Sequence, residues 1–253
     1  MRITLLGTGT SQGVPVIACN CHVCRSTNPK DRRSRSSVMI HVDNQVIVID
    51  TGPDFRNQML DNNVNDIDSI IYTHEHKDHV AGLDDVRAFN QKWKKPIDIY
   101  LSNQVSEAIK REYHYIFVEK RYPGIPEINL NIINNNSFLI GETKIIPIQA
   151  LHYKLPVFGF RIKNFVYLTD VSYISEEEKE KIYGADLLVI DSLRRKPHLS
   201  HFNLQQSIEL IKQVSPKKSL LTHISHYMGL HDELVNELPF NINPGYDGQV
   251  IDL

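Results

Sequence analysis

The stretch Ser69-Ile70-Ile71-Tyr72-Thr73-His74-Glu75-His76-Lys77-Asp78-His79 runs from an apolar, strand-like segment straight into three imidazoles and the carboxylate of Asp78. Imidazole nitrogens and carboxylate oxygens are ligands for Zn, Mn, Fe or Co. Two pairs of them in one tight turn can face two neighbouring ions: His74 and His76 the first, Asp78 and His79 the second. The bland alternative is a polar surface loop in which three histidines fell together by chance, which leaves so dense a set of ligand types without a use. The expectation is a dinuclear metal centre.

The pattern His74-x-His76-x-Asp78-His79 after a strand resembles the signature of the metallo-β-lactamase superfamily. Single ligand-type residues then follow later apolar runs: His152 after 145–150, Asp170 after 165–168 and His223 after 219–222. The resemblance implies that His152 completes the shell of the first ion, that His223 completes the second, and that Asp170 bridges both. Taken alone each is ambiguous. A single His at a strand end is more often a hydrogen-bonded core residue, and Asp170 would serve as a turn former ahead of a helix capped by Ser175-x-x-Glu178.

All three cysteines fall within six residues, as Cys19-Asn20-Cys21-His22-Val23-Cys24. An odd number, crowded too closely for unstrained pairing, argues for thiolate ligation in a reducing compartment rather than a disulfide framework. A tetrahedral zinc then lacks one ligand. The chain resembles a narrower branch, the PhnP-like phosphoribosyl cyclic phosphodiesterases, in which a cysteine cluster and a histidine three residues past the last catalytic ligand hold a structural zinc. That histidine is His226 here. Segments 7–15 (Gly-Thr-Gly-Thr-Ser-Gln-Gly-Val-Pro), 50–56 (Asp-Thr-Gly-Pro-Asp-Phe-Arg) and 244–248 (Pro-Gly-Tyr-Asp-Gly) are similar to this branch as well. The glycine-rich loop after the first strand lacks the ending of a P-loop and reads as a backbone turn at the rim of the site.

With 253 residues, 41% of them hydrophobic, the chain can bury a large core, and it reads as one hydrolase domain over 1–253. No apolar run approaches bilayer length and the N-terminal run breaks at Gly7, so the expected location is the cytoplasm, with no membrane partner. A net charge of −2 gives no general field for a polyanion, so a nucleic-acid substrate is disfavoured. A homodimer is left open.

Strand-like runs are expected at 38–42, 46–49, 67–72, 97–101, 129–133, 144–148, 157–162, 165–168, 187–190, 219–222 and 249–253, after a first strand at the N-terminus. Helical stretches interleave them, including 203–214 with Leu204, Ile208, Ile211 and Val214 on one face and a short charged helix over 175–183. The superfamily resemblance implies an αβ/βα four-layer sandwich of two mixed sheets. The run Asn134-Asn135-Asn136-Ser137 reads as a hairpin turn between two strands. Between Glu107 and Pro126, the cluster of Tyr113, His114, Tyr115, Phe117, Lys120, Arg121, Tyr122 and Pro123 fits either a substrate-facing lid or subunit contact, or an amphipathic helix with an ordinary loop.

Two divalent ions, Mn or Zn, about 3.5–4 Å apart would acidify a bridging water and steady charge on a leaving oxygen, which is hydrolysis. A departing alkoxide also needs a proton from an imidazole outside the metal shell. His201 is the choice, ahead of a helix and matching the branch's non-ligand active-site histidine, and with Asp78 it makes up the expected catalytic pair; the plainer role for His201 is capping that helix. His198 would orient its neighbour, Asp50 would hold a ligand imidazole by its free N–H, and Arg194, Arg195 and Lys196 could meet a terminal phosphate or simply form a solvated basic run. The substrate implied is a small cyclic phosphate on a phosphorylated sugar. The alternatives are a superfamily nuclease acting on RNA or DNA, as in tRNA 3′-processing, and a non-catalytic carrier.

Overall fold

The computed structural model describes residues 1–118 and 122–253. A first sheet begins with β1 (Arg2–Gly7), β2 (Ser37–Val42), β3 (Gln45–Ile49), β4 (Ser69–Ile71), β5 (Ile97–Leu101) and β6 (Ile128–Ile132). A second comprises β7 (Phe138–Ile140), β8 (Thr143–His152), β9 (Leu155–Ile162), β10 (Phe165–Leu168), β11 (Leu187–Asp191), β12 (Lys218–Thr222) and β13 (Ile242–Pro244). The chain then returns to the first sheet as β14 (Gln249–Asp252), antiparallel to β1. The strand orders are β14-β1-β2-β3-β4-β5-β6 and β13-β12-β11-β10-β9-β8-β7, both mixing parallel and antiparallel neighbours.

The helices are α1 (Phe55–Asp61), α2 (Lys77–Val80), α3 (Arg87–Trp93), α4 (Asn103–Glu112), α5 (Glu176–Glu180), α6 (Leu204–Val214) and α7 (His231–Glu237). Three apolar clusters define the layers. Ile3, Val38, Ile40, Ile47 and Ile49 of the first sheet meet Phe160, Phe165, Tyr167, Leu187 and Val189 of the second between the sheets. Phe55, Met59, Phe89, Val105 and Ile109 cover the outer face of the first sheet, and Leu210, Ile211, Val214 and Leu234 cover that of the second. The result is the αβ/βα sandwich.

The period-two geometry of strands explains this arrangement. Along β11, Leu187 and Val189 enter the inter-sheet core, whereas Leu188 and Ile190 face the helices. Such a strand is apolar throughout because both faces are covered, and each fully buried aliphatic contributes roughly 1.5–3 kcal/mol. Helix α6 is set by a capping box in which Asn203 accepts from the Gln206 amide and Gln206 reaches back. Leu210 joins Ile211 and Val214 in its buried face, while Leu204 and Ile208 are only partly buried. Among the described residues no helix is long and apolar enough to cross a membrane.

Three local expectations need correction. The run 134–137 is no hairpin: it carries the chain from β6, at one edge of the first sheet, to β7, at the edge of the second. Asn135 there donates to Glu178 at 2.7 Å, so the turn is fixed by a helix rather than by a paired strand. Ser175 does cap α5, accepting from the Glu178 amide, but the Glu178 carboxylate accepts from Gln149 N and Lys181 instead of closing a capping box. The third concerns β8, which extends four residues beyond the expected end because its pairing with β9 continues to His152 opposite Leu155.

Three aromatic residues just after α4 pack against the protein. Tyr113 is buried and donates to the Val80 carbonyl at 2.8 Å, Tyr115 bonds Asp84, and Phe117 lies against the helix-covered core. Lys120 and Arg121, included in the lid reading, lie outside the described residues.

Candidate metal centre

The ligand-type residues gather where β3, β4, β8, β10, β11 and β12 all end, the carboxyl edge at which open α/β sheets present their sites. Asp50, Asp170 and His223 follow their strands with φ of 65°, 57° and 56°. This left-handed conformation is costly for a non-glycine residue and collects at functional sites, where the surroundings enforce it. Gly52 permits the approach of the His74–His79 loop, since a Cβ there would stand 2.2 Å from the Asp78 carbonyl oxygen.

Two clusters result. One ligand atom each from His74, His76 and His152 lie within 4.8 Å of one another, and the same holds for Asp78, His79, Asp170 and His223. In the first, His74 Nε2 and His76 Nδ1 are 3.0 Å apart. In the second, His79 Nε2 lies 3.1 Å from both Asp78 Oδ2 and Asp170 Oδ2, and His223 Nδ1 lies 3.2 Å from Asp170 Oδ2. The other Asp170 oxygen is 4.0 Å from His74 Nε2, so this carboxylate faces both clusters.

The electrostatics fit cations. Burial alone would push His79 down, but the charges of Asp78, Asp170 and Asp50 prevail and raise it well above its usual range. Burial would push Asp170 up, and His223, His79 and His74 instead hold it well below the carboxylate range. His74 and His152 are driven down, chiefly by burial, which favours the neutral form that can ligate a metal. His79 Nε2 is buried and, although 3.1 Å from an oxygen of Asp78 and of Asp170, is not aligned for a good hydrogen bond to either. Such a group is costly unless something occupies the space it faces, and a divalent ion between it and two carboxylates would do so.

Residues behind the ligands fix their orientation. Asp50, wholly buried, accepts from His79 Nδ1 at 2.7 Å, Thr73 N at 2.9 Å and Thr73 Oγ1 at 2.8 Å. His152 Nδ1 donates to the Ser200 carbonyl at 2.8 Å. Ser36 Oγ sits 3.2 Å from His223 Nδ1 and also donates to the Gly9 carbonyl. Loop 7–15 thus reaches the rim of the site, as its sequence suggests. Asp247 holds the same wall, accepting from Thr8 and from Ser34.

His201 stands beside the second cluster, its ring 4.8 Å from His223 and 4.5 Å from His152. A ligand atom of His201 also falls within 4.8 Å of His152 and Asp170, but its Nδ1 is taken by Asp191 Oδ2 at 3.0 Å. Burial opposes its protonation, yet Asp191, Asp170 and Asp78 raise its pKa to about 9. Asp191 also accepts from Val171 N at 2.9 Å. Nothing local in the sequence marks Asp191, which reads as the polar end of an apolar strand.

Both arginines of the basic run are engaged elsewhere. Arg194 donates to the carbonyls of Lys196 and Pro197, and Arg195 to the Met228 carbonyl and Glu237. His198 does not orient His201: the rings are 5.2 Å apart, and His198 Nδ1 faces Ser200.

A third cluster stands apart. Cys19, Cys21 and Cys24 are free thiols whose sulfurs lie 3.2, 3.5 and 3.4 Å from His226 Nδ1. Tetrahedral zinc with bonds of about 2.3 Å to sulfur and 2.0 Å to nitrogen sets such atoms about 3.5 Å apart, so the four side chains fit that ion. The Cys24 amide and neighbouring thiols lower Cys21 to about 6, whereas burial and the adjoining sulfurs raise Cys24 to about 11. A cation would allow the thiolates to coexist.

Comparison with known proteins gives a consistent result. The model of the beta-lactamase superfamily domain matches residues 45–224. An octanoyltransferase of Porphyromonas gingivalis is 40% identical over 98% of this chain and 51% of that protein, so the chain spans about half the length of that relative. The crystal structure of a diphosphatase from the PhnP family superposes with a TM-score of 0.93 at 36% identity, covering 99% of this chain and 97% of that one. Zinc-bound PqqB from Methylobacterium extorquens gives a TM-score of 0.83 at 17% identity over the whole of both chains, a likeness of fold.

Proposed function

Since the chain belongs to the metallo-β-lactamase superfamily, in its PhnP-like branch, we propose that it is a metal-dependent hydrolase that opens a small cyclic phosphodiester on a phosphorylated sugar. In this reading 1–253 acts as one catalytic unit and works in the cytoplasm, where three free thiols stay reduced. His74, His76 and His152 would hold one divalent ion, Asp78, His79 and His223 the other, with Asp170 between them. Such a pair, when bound, activates water for attack on phosphorus and steadies the departing oxygen. The chain's residues do the rest: Asp50 and Ser200 orient the ligand imidazoles, and His201 hands a proton to the leaving oxygen.

The carrying observation is His201, outside both ligand sets and tethered by Asp191 at 3.0 Å, a carboxylate that favours its protonated form. A sugar alkoxide is a poor leaving group and gains from general-acid help, typically 10²–10⁴-fold. A phosphate leaving group gains far less. The geometry therefore favours the cyclic ester over a diphosphate, although the PhnP-family relative is described as a diphosphatase. A nuclease would want free cations beside the centre, and Arg194 and Arg195 are engaged elsewhere. Cys19, Cys21, Cys24 and His226 would take a structural zinc with no position left for water.

The deciding experiment assays protein loaded with Mn or Zn against a ribose cyclic phosphate, 2′,3′-cyclic nucleotides, a sugar diphosphate and a bis-aryl phosphate. Asp78→Ala and Asp170→Ala serve as controls, each expected to keep at most one tightly held catalytic ion and little activity. Turnover of the diphosphate with none of the cyclic esters would sink the reading, and near-native turnover in either variant would sink the two-ion mechanism.

A further inference from the structure

His198 is the imidazole near the centre, among the described residues, that neither metal cluster nor a carboxylate engages. Its loop is fixed at several points. Arg194 caps the carbonyls of Lys196 and Pro197 at 3.2 and 2.7 Å, Arg195 Nε donates to the Met228 carbonyl at 2.8 Å, and the Ser200 carbonyl accepts from His152. His198 Nδ1 accepts from the Ser200 amide at 3.3 Å. An amide can only donate, so Nδ1 carries the lone pair and the neutral ring keeps its hydrogen on Nε2. That nitrogen has no partner among the described residues and is not sealed from solvent. A donor so directed is set up for an acceptor from outside.

Where the acceptor would come from follows from the order of the rings. The His201 ring lies 4.5 and 4.8 Å from those of His152 and His223 and 5.2 Å from that of His198, so His198 is its next imidazole neighbour outside the two clusters. A substrate whose leaving oxygen meets His201 brings the remainder of its leaving group into the neighbourhood of His198, 5.2 Å away ring to ring. We propose that His198 determines specificity by donating its Nε2 hydrogen to a sugar oxygen of the leaving group, beyond the oxygen that His201 protonates. This rests on the phosphodiesterase reading above. It concerns binding only, and His198 makes or breaks no bond.

The test compares two phosphodiesters in the metal-loaded protein: adenosine 2′,3′-cyclic phosphate, whose leaving group carries sugar oxygens, and bis(p-nitrophenyl) phosphate, whose leaving group has none. His198→Ala should lose about tenfold in kcat/KM on the cyclic nucleotide, mostly in KM, and change by less than about twofold on the aryl ester, as expected for one lost hydrogen bond to bound substrate. Metal content should match the wild type. His198→Asn, whose amide can still donate, should recover part of the loss. Equal losses on both substrates would mean that His198 acts through His201 or the metals, and no loss on either would mean that it touches no substrate; both overturn the proposal and leave the phosphodiesterase reading standing. Wild-type protein inactive on both esters would instead fell that reading, and the proposal with it.

Discussion

Asp50 Oδ2 lies 2.7 Å from His79 Nδ1, with both side chains wholly buried. The carboxylate thereby dictates that His79 presents Nε2 to Asp78 and Asp170. Burial raises the Asp50 pKa, and His79 and Thr73 oppose that rise. Asp50→Asn keeps the shape and removes the charge. It should weaken binding of the ion held by His79 by about 10–100-fold, the usual effect of losing a residue that orients a metal ligand, and leave the ion of His74, His76 and His152 nearly untouched. Calorimetric titration of the metal-free protein would resolve the two sites, and equal weakening at both would contradict this division of labour.

His201→Ala should retain both catalytic ions and lose about 10²–10⁴-fold in rate on a sugar cyclic phosphate. The loss should shrink for esters of acidic phenols, which leave without a proton. A loss independent of the leaving group would reassign His201 to phosphate binding.

Cys21→Ser should lower both thermal stability and bound zinc, because the cluster ties a loop near the N-terminus to the segment just after His223. In wild-type protein one zinc should survive mild chelation while the catalytic ions exchange. A disulfide between two of the three cysteines, found by mass spectrometry of the native protein, would overturn the zinc assignment.

Acid should destabilise the protein through His231. It is buried, its backbone amide donates to Asp31, and Arg33 Nη2 faces its Nδ1 at 3.4 Å. Burial first, then the charges of Arg33 and Lys30, lower its pKa to about 4. The unfolded chain takes up this proton near pH 6.5 and the folded protein only near 4, so the stability is fully present above about 6.5 and drains away as the pH falls between the two. The contribution is on the order of 1–3 kcal/mol. Denaturant unfolding at several pH values should give His231→Gln a shallower acid limb than the wild type; parallel limbs would rule this out.

Much of the fold is legible in local pattern. The unbroken apolar runs at 46–49 and 187–190 announce strands covered on both faces, since a side-chain period of two needs no knowledge of neighbours. β13 escaped notice because Ile242-Asn243-Pro244 is too short to display a period. The run 134–137 misled for a related reason. Asparagines and serine favour a turn whichever strand follows, and only packing decides that β6 and β7 belong to different sheets.

The candidate site divides along the same line. The run 74–79 by itself determines where ligand chemistry begins, because donor type is a property of a few adjacent residues, whereas His152, Asp170, His223 and His226 stand out only through the order they share with the superfamily they resemble. Tertiary structure alone decided other pairings: His201 with Asp191, and His198 with Ser200 rather than with His201. Those pairings depend on strand order and on the left-handed turns that aim Asp50, Asp170 and His223, and these are set by burial in the three apolar layers, a long-range free energy that no short stretch of chain contains.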